Sequence, residues 1–410
     1  MMVEDLAEFY SASARVMSRS LIRELLKLTR RGGIISFAGG LPDPSTFPVA
    51  ELKTITAQVL EREPHLALQY GPTEGDARLR AELGRWMAKD GIRATPDQIL
   101  ITIGSQQGLD VIGHVFLDPG DVVVVERPSY MAALQLFRMY RVEMVGVAQD
   151  DDGMRMDLLE ETLAGLAAKG KRPKIIYVVP DFQNPSGVTM SEPRRRRLLA
   201  LARQYRALIV EDNPYRELRF EGTAPPPVAA LDEDGRVIYL STFSKTLCPG
   251  MRIAWVTARD EFIQKFVTAK QGMDLCCPAF TQAIAAEFCA SGAIYARVPA
   301  IAALYRRKRD VMLGALEREM PPGVTWTRPE GGLFLWVRLP EGMDTEQLLG
   351  PAIEEEGVAY VVGSGFHADG GGKNTMRLNF SYPSEQDIEE GIRRLANLVR
   401  KRVPKEVTAS

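Results

Sequence analysis

The sequence predicts an α/β protein: a large unit with a mostly parallel sheet of seven strands, joined to a smaller α+β unit. Three observations lead there. The chain has 410 residues, too many for one ordinary domain, so two units around a large core are expected. Seven short apolar runs recur between residues 99 and 256, and most are continuous rather than alternating, as in strands covered on both faces. Helical segments separate several of these runs, which is the spacing of strand–helix–strand crossovers.

Taken in chain order, residues 20–30 (SLIRELLKLTR) place Leu21, Ile22, Leu25, Leu26 and Leu28 on one face of a predicted helix. A Gly/Pro-rich loop, SFAGGLPDPSTFP, follows. The predicted strands are 99–103, 122–125, 145–147, 174–179, 207–211, 237–240 and 252–256. From about Ile294 the character changes. A long charged helix over 298–319 leads to a predicted strand at 333–339, then a helix, strands at 358–362 and 376–380, and a final helix from Glu385.

The composition excludes several function classes. Hydrophobic residues make up 45%, and 51 basic against 53 acidic residues give a net charge of -2, so neither nucleic acid nor a membrane surface is an expected partner. The basic runs 194–197 and 306–309 fall on helical patterns and are expected to be solvated faces. Cys248, Cys276, Cys277 and Cys289 lack zinc-site spacing and are expected as free thiols, with no metal. The N-terminus lacks the apolar core of a secretory signal and no apolar run approaches membrane length, so a soluble cytoplasmic protein is expected.

Four polar groups follow predicted strands, at the sheet edge where ligands bind in open parallel sheets. Gly104-Ser105-Gln106-Gln107 opens a helix, whose free N–H groups suit a phosphate, although a Gly-Ser cap is commonplace. Asn184-Pro185-Ser186-Gly187 reads alone as a proline turn. Glu211 and Asp212 end a strand, and burying both is costly unless one meets a cation, either a structural arginine or a protonated ring nitrogen. Finally, Lys245 sits in Ser241–Arg252, between hydroxyl residues and ahead of a Pro-Gly turn. A lysine amine can condense with a carbonyl, and hydroxyls with a guanidinium suit a phosphate dianion. Each group alone is ambiguous, but together they offer what pyridoxal 5'-phosphate (PLP) needs.

With these motifs the chain resembles the fold-type I PLP aminotransferases, and within them the 2-aminoadipate/kynurenine and multi-substrate aromatic branch. The resemblance runs through SFAGGLPDPSTFP, LQYGPTEGDARLR, ITIGSQQGLD, ERPSY, DFQNPSG, VEDNPYREL, STFSKTLCPGMRIAW, RPEGGLFLW and NTMRLNFS. It implies a large PLP-binding domain over 50–293 and a small domain from 1–49 and 294–410. It implies Lys245 as the attachment point of the cofactor and the mover of the Cα proton. Asp212 would meet the ring nitrogen, Asn184 and Tyr215 the ring oxygen, and Tyr130 the ring face. Ser105, Gln106, Ser244 and Arg252 would hold the phosphate, with Thr242 standing where relatives often carry serine. Tyr70 would reach the phosphate of a neighbouring subunit, making a homodimer with shared sites. Arg377 would clamp the substrate carboxylate, helped by Asn184 and Gly40. Arg23, with Ser20 beside it, would either bind a distal carboxylate or be a solvated helix arginine.

The implied reaction is a ping-pong transfer of the amino group of 2-aminoadipate, glutamate, an aromatic or a branched aliphatic L-amino acid to a 2-oxo acid such as 2-oxoglutarate. A PLP-dependent β-lyase or decarboxylase is the alternative enzyme. A regulator with an aminotransferase-like domain is the non-enzyme alternative, disfavoured because the match starts by about residue 15.

Overall fold

The computed structural model describes residues 6–17 and 33–403. The predicted helix over 20–30, with Ser20 and Arg23, lies outside the described residues. The first strand, β1 (Ile35–Ser36), is followed by a helix, Val49–Arg62, and another, Ala77–Ala88. The large sheet then collects β2 (Ile99–Thr102), β3 (Val122–Arg127), β4 (Glu143–Asp150), β5 (Gly153–Met154), β6 (Pro173–Val178), β7 (Leu208–Asp212), β8 (Val237–Thr242) and β9 (Ala254–Thr257). Their order is β2-β9-β8-β7-β6-β3-β4-β5. Parallel pairing runs from β4 through β3, β6 and β7 to β8, whereas β9 is antiparallel to both its neighbours.

The continuous apolar runs are explained by the pleat. Successive side chains point to opposite faces. Val123, Val125, Ile175, Tyr177, Val210 and Ile238 join one core cluster with Leu109, Ile112 and Phe137. Their neighbours Val122, Val124, Ile176, Val178, Ile209 and Val237 join another with Leu159, Leu163, Leu198 and Leu201. A helix layer on each face leaves no strand position for a polar residue until the strand ends, so polar residues gather there.

The C-terminal unit is an antiparallel sheet, β10 (Thr325–Trp326), β11 (Phe334–Arg338), β14 (Thr375–Asn379) and β13 (Val361–Val362), in the order β10-β11-β14-β13. The long helix Ala293–Glu319 enters it, and the last helix, Glu385–Arg402, packs Ile388, Ile392, Leu395 and Val399 into the same cluster as Leu335 and Leu378. Ile35 and Ser36 pair in parallel with Val358 and Ala359 of β12 (Val358–Ala359). Phe37 N then donates to Ala359 O and Asn379 N donates to Phe37 O, which carries Ala38 and Gly40 toward the large sheet.

Four expectations are corrected. The strand predicted over 358–362 is two, because the chain passes at buried Tyr360 from β1's partner to β14's partner, and Tyr360 Oη donates to Thr345 O at 2.7 Å. The predicted strand 252–256 starts only at Ala254, since Arg252 is left-handed with φ 55°. The basic runs are not simply solvated. Arg195 is fully buried against Asp181, Lys308 pairs with Asp43, and buried Arg309 bonds Glu221. The sheet also carries an eighth strand, the two-residue β5, which forms a hairpin with β4. All four cysteines are free. No single helix among the described residues is long and apolar enough to cross a membrane.

Candidate active site

The strand ends and the 36–40 segment converge on a cavity of about 290 Å³. Its wall includes Gly40, Ser105, Gln106, Tyr130, Asn184, Asp212, Tyr215, Thr242, Ser244, Lys245, Arg252 and Arg377. Twelve of the fifteen residues singled out in the sequence therefore share one cavity. Tyr70 is elsewhere, 79% exposed beside the exposed Leu68. Ser20 and Arg23 lie outside the described residues. A larger open cleft of about 990 Å³, floored by Trp336 and Gln149, contains none of these residues.

Lys245 follows β8, and its Nζ donates to Gly40 O at 2.7 Å. Burial, together with the Arg377 and Arg252 guanidiniums, pulls its pKa down to about 8. The neutral amine is therefore accessible near physiological pH, where an ordinary lysine is almost wholly charged.

Asp212 ends β7 and is 2% exposed. Its Oδ2 accepts from Tyr177 Oη at 2.8 Å, while Oδ1 is buried without a hydrogen-bond partner. Burial pushes its pKa up to about 6, and the phenol offsets that only in part. No arginine or lysine among the described residues bridges Asp212. The neighbouring Glu211 also has no ion-pair partner there, and is satisfied instead by Val228 N, Ala229 N and Asn213 Nδ2. Burial raises its pKa to about 7. The expectation that one of the two meets a cation is thus unmet by the side chains of the described residues, and Asp212 Oδ1 is the oxygen left without a partner among them.

Arg377 shows the opposite imbalance. It is 1% exposed on β14, with Nη1 donating to Asn184 Oδ1 at 2.8 Å and Nη2 to Ala38 O at 2.9 Å. Its Nε has no partner, and no carboxylate among the described residues bridges it. Burial pulls its pKa down to about 10. The guanidinium lies 4.2 Å from the Phe334 ring centroid, a cation–π contact that orients it without neutralising it. Phe334 was missed in the sequence reading, although its position in RPEGGLFLW, on a predicted strand, was the available signal. Tyr177, which holds Asp212, was hidden inside an apolar run.

At the opposite end, Gly104 takes φ 115°, where a Cβ would run into the Arg252 guanidinium, so glycine permits the close approach. Arg252 Nη2 donates to Ile103 O at 2.7 Å. The helix Ser105–Phe116 begins here, and Ser105 Oγ is buried with no partner. Thr242 Oγ1 donates to Ile253 O at 2.8 Å and accepts from Ser244 N at 3.1 Å. Its single proton goes to Ile253 O, so in the 2.8 Å contact between the two hydroxyls Ser244 Oγ donates to Thr242 Oγ1. Tyr130 and Tyr215 also line the cavity. Burial chiefly, then the Asp212 charge, raises the Tyr130 pKa to about 12, and burial also raises that of Tyr215. Asn184 Nδ2 donates to Tyr215 Oη at 3.3 Å.

The cavity therefore offers an amine of lowered pKa, an open carboxylate oxygen, an unpaired guanidinium and a corner of donors suited to an anion. Comparisons with known proteins agree. The family described as "Aminotransferase class I and II" matches residues 34–395. Aromatic-amino-acid aminotransferase 1 of Thermococcus litoralis is 52% identical over 98% of this chain and 96% of its own. A kynurenine aminotransferase of Pyrococcus horikoshii, solved with pyridoxamine phosphate (PMP), is 49% identical with TM-score 0.95, covering 98% of this chain and 99% of its own. The alpha-aminoadipate aminotransferase of Thermus thermophilus, solved with N-(5'-phosphopyridoxyl)-L-leucine, is 42% identical with TM-score 0.89, covering 97% and 98%.

Proposed function

The chain belongs to the class I and II aminotransferases, and from that premise we propose that it moves the amino group of aromatic amino acids, kynurenine or 2-aminoadipate to 2-oxoglutarate by a ping-pong route. The observation that carries the reading is Asp212 Oδ1, a buried carboxylate oxygen left open in the cavity that also holds Lys245 and Arg377.

PLP is the cofactor, and the residues present fit it. Asp212 Oδ1 lacks the cation that a protonated ring nitrogen would provide. Ser105 Oγ, the free N–H groups at the start of a twelve-residue helix, Ser244 and Arg252 fit a phosphate dianion. Gln106 lies at the same corner, Thr242 braces Ser244, and Asn184 with Tyr215 fits the ring oxygen, while Tyr130 suits the ring face. When bound, PLP supplies an electron-withdrawing ring that stabilises negative charge developing at the substrate Cα.

The chain's own residues do the rest. Arg377 binds the α-carboxylate through the edge that carries its unpartnered Nε, and Asn184 with Ala38 O fixes the plane of the guanidinium. That contact orients the Cα–H bond toward Lys245. Lys245 Nζ, whose pKa of about 8 leaves a fraction neutral near pH 7 and most of it neutral above pH 8, takes the proton from Cα in its neutral form and returns it one position along, without leaving the cavity. Gly40 O, 2.7 Å from Nζ, holds the amine in place between these two steps. One carboxylate clamp serves the amino acid and then the oxo acid, which favours two sequential half-reactions over a ternary complex.

Tyr70 and Leu68, exposed on one segment, support a homodimer in which Tyr70 reaches the neighbour's phosphate corner. In that assembly 50–293 is the cofactor-holding domain, and 1–49 with 294–410 is the smaller one. Arg23, beside Ser20, is the proposed partner of a distal carboxylate. Replacing Arg23 with alanine should weaken 2-aminoadipate far more than phenylalanine, and equal losses would make it structural. Initial rates with L-phenylalanine and 2-oxoglutarate test the route: parallel double-reciprocal lines with phenylpyruvate and glutamate as products are expected. Intersecting lines, or release of carbon dioxide or ammonia, would contradict it.

A further inference from the structure

We infer that Lys270 and Asp274, which lie outside the cavity, are positioning residues for its phosphate corner and act through Gln107. The inference rests on the PLP reading above. Lys270 is fully buried, an expensive place for an ammonium group without a partner. Its Nζ donates to Asp274 Oδ1 at 2.6 Å. The other oxygen, Asp274 Oδ2, accepts from Gln107 Nε2 at 2.7 Å. Gln107 Oε1 in turn accepts from Ile103 N at 2.9 Å, and Ile103 O accepts from Arg252 Nη2 at 2.7 Å. A continuous line of contacts thus joins the buried ammonium to the guanidinium of the phosphate corner.

The direction of each bond in that line matters. An ionised carboxylate only accepts, so Asp274 forces Gln107 to turn its amide nitrogen outward and its carbonyl oxygen toward Ile103 N–H. Lys270 Nζ holds the other oxygen, Asp274 Oδ1, and so fixes the orientation of the carboxylate toward Gln107. Ile103 is then held at both its N–H and its C=O, on the two successive peptide units of the strand-to-helix turn where Gly104 takes φ 115° and Ser105 begins its helix. The end of the Lys270 helix is itself fixed. Thr73 Oγ1 donates to Leu275 O at 2.7 Å, and Cys277 Sγ lies 3.4 Å from Ile101 O on β2. The two arms of the corner, Arg252 and the Ser105 helix start, therefore take their spacing from a charge that touches neither the cofactor nor the substrate.

Asparagine at 274 can donate to Gln107 and allow its amide to turn over, which would set an NH2 group against Ile103 N–H and loosen the clamp. The test uses the full-length apo-protein as wild type, Lys270→Met, Asp274→Asn and Gln107→Leu, each titrated calorimetrically with PLP, with pyridoxal and with inorganic phosphate. Affinity for PLP and for inorganic phosphate should fall about tenfold or more in Asp274→Asn and Gln107→Leu, while affinity for pyridoxal stays unchanged. Lys270→Met should show the same selectivity if it folds. Wild-type phosphate affinity in a folded Asp274→Asn, or an equal loss for pyridoxal, would overturn the inference and leave a tie between helices. A wild-type protein that binds no PLP would instead overturn the functional reading beneath it.

Discussion

Asp181 and Asp212 are buried carboxylates at neighbouring strand ends of one sheet, and the fold treats them in opposite ways. Asp181 is fully buried among three arginines. Arg195 Nη2 donates to it at 2.8 Å and Arg216 Nη1 at 3.2 Å, with Arg219 at 3.9 Å. Asn213 adds a bond at 2.9 Å. Burial alone would raise the Asp181 pKa, yet the Arg195 and Arg216 charges more than offset it and hold it below the usual carboxylate range. Asp212 receives one phenol, keeps one oxygen empty, and is pushed up to about 6. The sheet edge thus spends its cations on the carboxylate that holds loops together and withholds them from the one facing the cavity. The difference teaches which carboxylate waits for a partner from outside the chain.

The comparison can be broken in several ways. The largest stability effect belongs to Asp181→Asn, because removing one member of a buried ionic cluster strands the others, at a cost of about 3–5 kcal/mol. A urea midpoint close to wild type would show that the arginines are hydrated instead. Asp212→Asn should behave oppositely in the apo-protein. The folded Asp212 pKa is raised from 3.8 to about 6, so its contribution to stability is complete below pH 3.8 and is lost as pH rises through 6. At pH 8 the apo-variant should therefore be more stable than wild-type apo-protein by on the order of 1–3 kcal/mol, and the gain should vanish near pH 4. The same substitution should slow turnover of the PLP-loaded enzyme about 10²–10³-fold, since a positioned charge is removed. An unchanged rate would take Asp212 out of the chemistry.

Smaller effects sharpen the contrast. Proton removal by Lys245 should rise about tenfold per pH unit and level off above pH 8, read from the rate of exchange of the substrate Cα hydrogen with solvent. A profile that levels off only near the ordinary lysine pKa would mean that the amine is not desolvated. Thr242→Val should cost about 1 kcal/mol through the lost bond to Ile253 O, and Thr242→Ser almost nothing, both measured by thermal unfolding.

Much of this was legible because buried parallel strands admit no polar residues until they end. The pleat that divides Val122–Val125 between two core clusters also drives Asp212, Lys245 and Ser105 to one edge, so strand position and chemistry could be read together. Side chains that cross between elements were not legible. Arg195, Lys308 and Arg309 read as surface residues because a helical pattern shows which face is apolar but not what a long cation on its margin will meet. Tyr177 vanished within an apolar run whose hydroxyl becomes informative only once Asp212 lies opposite. The exchange of partner strands at Tyr360 and the two-residue β5 leave no periodic trace, being shorter than a pattern can register. Tyr70 was readable as a motif residue, but the structure of one chain presents it only as an exposed side chain.

The most direct measurement is the absorption spectrum of the PLP-loaded protein before and after L-phenylalanine or L-2-aminoadipate is added, followed by 2-oxoglutarate. The account predicts a yellow band that is lost to the pyridoxamine form with the amino acid and returns with the oxo acid. A protein that develops no such band after incubation with PLP would contradict it, and so would a band that the amino acids leave unchanged.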